Sequence, residues 1–132
     1  MTPPIFLRRF LKRQIQGGII SGDLFECDDD EKGISVYDRP SDWGNAEIGV
    51  FQASYALPSG CLPGVLAISA PCFPAAQFHP PQPVPSAGDP FSFIHCESPC
   101  NDSQAQAFAE VVQSALASGN AQIEAPFIRP KR

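Results

Sequence analysis

The densest run of chemically able side chains in the sequence is Asp89, His95, Cys96, Glu97, Ser98 and Cys100. A histidine among thiols and carboxylates suits nucleophilic chemistry, in which a base activates the nucleophile and a third group orients the base. It also suits zinc, whose structural sites take four Cys or His ligands, commonly from close pairs. The spacing limits both. Residues 91–97 alternate as a strand does, with Phe91, Phe93 and His95 on one face and Ser92, Ile94 and Cys96 on the other. Strand neighbours point to opposite faces, so His95 and Cys96 cannot form a direct dyad. An enzyme built here would be centred on His95, with Asp89 or a cysteine such as Cys96 as its partner. For a metal, Cys96 and Cys100 have zinc-like spacing, and Cys61, Cys72, His79 or His95 could complete a set. There is no second close pair, and the expectation is no metal and no cofactor. Phosphate-binding, dinucleotide-binding, metalloprotease and serine-hydrolase signatures are absent from the sequence.

A second group of functional residues is basic. Arg8, Arg9, Lys12 and Arg13 give residues 1–20 a charge of +4, and Arg129, Lys131 and Arg132 give the tail +3. All fourteen acids lie between, against only Lys32 and Arg39, so residues 21–128 carry −12 within a formal net charge of −5. An acidic body repels phosphate backbones, which argues against nucleic acid as the main partner. The basic residues at the start, together with Trp43 as the lone tryptophan in a loop, are the candidate partner-binding residues. A more basic protein, or a second copy of the chain, is the expected partner. A membrane surface is the less favoured alternative.

These groups need elements to position them. Thr2 as cap, Pro3 and Pro4 in a first turn, apolar residues at Leu7, Phe10, Leu11 and Ile15, and a Gly17-Gly18 stop predict a basic amphipathic helix over about 4–16. Residues 19–37 read as a β-hairpin around the acid-rich run 28–33, whose spacing does not fit a calcium loop. Residues 46–55 are ambiguous between strand and helix and read here as strand; 64–70 read as a buried strand. Seven prolines crowd residues 71–90 and predict a rigid surface loop. An apolar stripe from Ala105 to Leu116, closed by Gly119, predicts a helix over about 102–118. A last strand precedes the basic tail, 129–132.

The sum is one α+β domain over residues 1–132: a mainly antiparallel sheet with an N-terminal helix and a longer C-terminal helix packed on it. Ten of the fifteen prolines fall between Pro58 and Pro99, so the proline excess is local and does not imply general disorder. Arg8-Arg9 cuts the apolar start short of a secretory signal, and five cysteines without repeated spacing fit free thiols, which together predict a cytoplasmic protein. The functional expectation is a small non-catalytic protein-interaction factor, of the kind of bacterial accessory, immunity or antitoxin-like proteins. The alternatives are a small enzyme centred on His95 and a membrane-surface protein held by the N-terminal basic helix.

Overall fold

Arg8 and Arg9 lie inside a β-sheet, not on a helix. In the computed structural model, which describes residues 4–25, 33–55, 57–72, 82–85, 87–99 and 104–129, the predicted helix over 4–16 is replaced by strand β1 (Ile5–Phe10), a single 3-10 turn (Lys12–Gln14) and a short strand β2 (Ile15–Gln16). The reason is burial on both sides. Phe6 and Phe10 pack towards one face and Leu7 towards the other, which a strand allows and a one-sided helix does not. Gly17 and Gly18 are a turn and not a helix stop. Both have positive φ, 60° and 79°, and they form the two-residue turn joining β2 to β3 (Ile19–Ile20).

The predicted hairpin over 19–37 is also corrected. Its first half, β3, pairs with β2 in a small two-stranded sheet. Its second half, β4 (Gly33–Asp38), joins the main sheet beside β1. Between β3 and the undescribed stretch 26–32, Gly22–Phe25 makes a 3-10 turn that buries Leu24 and Phe25. The stretch expected as a strand, 46–55, is mostly helix: α1 spans Asn45–Ala53, with the Glu47 carboxylate accepting the Gly44 N–H at 3.1 Å and the one-turn spacing of Ile48, Phe51 and Gln52 turned inward.

The main sheet is completed by β5 (Gly64–Ser69), β6 (Gln82–Pro83), β7 (His95–Pro99) and β8 (Ala121–Ala125). Its six strands run in the order β6-β7-β4-β1-β5-β8, and every pairing is antiparallel. β5 is the expected buried strand. Gly64 lies beneath the Phe10 ring, where a Cβ would meet a ring carbon at 2.1 Å. β7 starts later than the alternation suggested, because Ser92–Ile94 forms a 3-10 turn. The proline-rich stretch contributes the edge strand β6, while 73–81 and Ser86 lie outside the described residues.

Helix α2 (Ala105–Ser118) is the expected longer C-terminal helix. Its stripe of Ala105, Phe108, Ala109, Val112 and Ala115 packs with Phe6, Phe10, Val36 and Leu66, and Phe25 meets Phe108 edge-on at 4.6 Å. Gly119 ends it in the left-handed conformation, φ 87°, and Asn120 N–H reaches back to the Ala115 carbonyl at 2.8 Å. Helix α1 covers the opposite face, where Ile48 and Phe51 pack with Leu7, Tyr37, Val65 and Ala67. The fold is thus α+β: one mostly antiparallel sheet with a helix against each face.

Candidate functional site

The cleft originates where β1 and β4 part. The two strands pair at Phe6–Asp38 and Leu7–Tyr37 only, whereas β1 pairs with β5 along its whole length. Past that point the Ser35 carbonyl is satisfied by a side chain: Arg8 Nη1 donates to it at 2.7 Å. The same guanidinium donates from Nε and Nη2 to the Leu24 carbonyl, at 3.1 and 2.7 Å. Arg8 therefore bridges the opened strands to the 3-10 turn and supplies donors that strand pairing would have given.

Arg9 points to the α1 face. Its guanidinium lies 4.1 Å from the centre of the Phe51 ring, 5.0 Å from Tyr37 and 5.2 Å from Tyr55, a cation held by aromatic faces. Nη2 donates to Ser54 Oγ at 2.9 Å and to the Phe51 carbonyl at 3.3 Å, and Nη1 donates to the Tyr37 hydroxyl at 3.3 Å. These acceptors are all neutral, and the buried Nε–H has no hydrogen-bond partner among the described residues. The Tyr37 hydroxyl in turn donates to the Asp89 carboxylate, whose other oxygen accepts the Phe91 N–H at 2.8 Å. Burial, with the hydrogen bond to Asp89 adding to it, pushes the Tyr37 phenol up from 10.0 to about 12.

Register brings His95 to the same place. Tyr37 faces His95 and Ser35 faces Glu97 across β4 and β7, so Ser35 and His95 are diagonal neighbours on one face. His95 Nδ1 lies 2.6 Å from the Val84 carbonyl, and Nε2 lies 2.5 Å from Ser35 Oγ. A carbonyl only accepts, so Nδ1 carries the proton, and in the neutral ring Nε2 accepts from the serine hydroxyl. Arg8, Arg9, Ser35, Tyr37, Asp89 and His95 all line one cleft of about 770 Å³, and the Arg13–Asp23 ion pair contributes to its wall. Hydrogen bonds from Ser21 and Arg13 hold the Asp23 carboxyl below its usual range. A smaller, more apolar groove of about 430 Å³ lies alongside, lined by Pro83, Val84, Pro85, Ser92 and Phe93, with Pro90 and His95 common to both.

The other residues singled out by sequence are dispersed. Asp89 reaches Tyr37 and is one hydrogen bond removed from Arg9, but the partners of the His95 ring are Ser35 and Val84. Cys96 belongs to the core on the α2 side, its thiol directed at the Ile94 carbonyl and pushed up mainly by burial, with Asp38 adding to it. Cys100 lies outside the described residues. Among the described residues, no three His, Cys, Asp or Glu side chains are grouped to hold a metal ion. Lys12 and Arg13 are exposed on the 3-10 turn after β1. Trp43 packs edge-on to Phe91 at 5.6 Å and 6.0 Å from Phe51, as a lid over the α1-side core and away from the cleft. Ser35, Tyr37 and Val84 were not singled out by sequence. The one available signal was Ser35 and Tyr37 at alternate positions of an otherwise apolar strand, two polar groups on one face.

Comparison of the chain with protein-family models, with curated proteins and with solved structures finds no match. Among the described residues, no helix is long and apolar enough to cross a membrane.

Proposed function

We propose that the chain is a protein-interaction factor that receives a carboxylate-bearing segment of its partner in the arginine-lined cleft. The observation that carries this reading is Arg9. It is a cation fixed against three aromatic rings and bonded only to neutral acceptors, in the wall of a cleft. Cations in a concave site focus the field there, and a guanidinium matches a carboxylate in shape as well as charge. Arg8, Arg9 and Arg13 line this cleft from a strand and its following turn, and Lys12 lies beside them on the same turn. A membrane anchor has less support, because the amphipathic helix it needed is a strand whose two faces are both covered.

Fluorescence anisotropy with a labelled peptide rich in Glu and Asp, beside its Gln and Asn counterpart, tests the reading. The acidic peptide should bind at least about tenfold more tightly, roughly 1.4 kcal/mol, and its affinity should fall with added salt. Arg9→Gln should remove that preference. Equal binding of the two peptides to the wild-type protein would overturn the reading without recourse to any variant.

A further inference from the structure

The Ser35–His95 pair has the geometry of a hydroxyl held against a base. The serine hydroxyl is within hydrogen-bond reach of Nε2 at 2.5 Å, and Nδ1–H is fixed by the Val84 carbonyl at 2.6 Å. A nucleophile bonded to a base, with the base oriented by a third group, is the arrangement that activates a hydroxyl. Here the orienting group is a backbone carbonyl. Each part is held in turn. Arg8 anchors the Ser35 carbonyl at 2.7 Å, Tyr37 meets the imidazole edge-on at 5.2 Å, and the Val84 N–H is bonded to the His95 carbonyl at 2.9 Å. Both reacting side chains are largely buried and border the cleft.

We propose that Ser35 and His95 form an acyl-transfer pair acting on a carboxylic ester in the cleft, an inference that rests on reading the cleft as the working surface. As Ser35 Oγ bonds to the ester carbonyl carbon, its proton passes to His95 Nε2 and the carbonyl π pair moves onto oxygen. The negative charge that develops meets the cationic wall of the cleft, which Arg8, Arg9 and Arg13 line. Collapse of the tetrahedral intermediate breaks the bond to the alcohol oxygen, which takes the proton from Nε2. Water then attacks the acyl-serine with His95 as base, releasing the carboxylic acid and restoring the Ser35 hydroxyl. Ester and water are consumed; alcohol and acid are formed.

An alkyl fluorophosphonate probe with peptide mapping by mass spectrometry tests the pair on the full chain. Ser35 should be modified in preference to the exposed serines, with the rate falling about 100-fold or more in His95→Gln. Hydrolysis of p-nitrophenyl butyrate should be saturable and absent from Ser35→Ala. If either variant fails to fold, the site of modification in the wild-type protein decides. Ser35 unmodified after prolonged exposure would overturn the proposal, as would modification at an undiminished rate in folded His95→Gln. The two readings fail separately. Selective binding of the acidic peptide with no reaction at Ser35 removes the acyl-transfer pair alone, and reaction at Ser35 without peptide preference removes the acidic partner alone.

Discussion

Three residues of the cleft, Arg8, Arg13 and Tyr37, connect its geometry to measurable stability. Arg8 satisfies the Ser35 and Leu24 carbonyls with three donors. In Arg8→Met the apolar stem is retained but both acceptors lose these donors, and an unpaired buried acceptor costs about 1–3 kcal/mol. Urea unfolding of Arg8→Met should therefore show a loss of about 2–4 kcal/mol. Arg13→Gln, at an ion pair whose arginine is mostly exposed, should change stability by less than about 1 kcal/mol. Tyr37 makes a prediction in pH. Its phenol is raised in the folded state from 10.0 to about 12, so folding favours the protonated form. That contribution is fully present below pH 10 and is lost as pH rises through about 12. The tyrosinate absorbance of wild type minus Tyr37→Phe should rise with a midpoint near 12, and the stability difference between the two proteins should shrink over the same interval. A midpoint near 10 would place the phenol in water rather than beside Asp89.

At the scale of elements, the contact of β1 with β5 is the firmest test of the fold. Gly64 admits the Phe10 ring at a distance no Cβ could share, 2.1 Å. Gly64→Ala must displace that ring from a tightly packed core, at about 1–3 kcal/mol, read as a lower urea midpoint with an unchanged slope. The elements also show what the sequence made legible. Helix α2 and strand β5 were readable because each has one unambiguous pattern: a stripe closed by Gly119, and a short apolar run between prolines. β1 was not readable. A central strand is apolar on both faces, and Arg8-Arg9 interrupts that run with charges whose partners lie at Leu24, Ser35, Phe51 and Ser54, far along the chain. Helix α1 was half readable, since Ile48 and Phe51 have helical spacing while Val50 and Tyr55 remain exposed and blur the pattern. The candidate site follows the same rule. His95 stood out by type, but its partners Ser35 and Val84 are ordinary residues that acquire a role only through the register of β4 with β7 and the course of the chain beside it.

For the molecule as a whole, the polarity of charge along the chain takes on a spatial meaning. Of the +4 start, Arg8 and Arg9 lie in a central strand and Arg13 on the turn after it, and the three help to line a cleft in a chain whose remaining body is acidic. Such an arrangement draws an anionic group to one place and repels it elsewhere, and the effect weakens as salt screens it. The most direct test of this account is an NMR titration of the protein with the acidic peptide at low salt, following the Arg9 Nε–H resonance together with the backbone amides. The account predicts that Arg9 Nε–H and the amides of Ser35, Tyr37 and His95 shift together and saturably, and return when salt is added. Shifts confined to α2 or to the edge strand β8, with Arg9 unmoved, would contradict it.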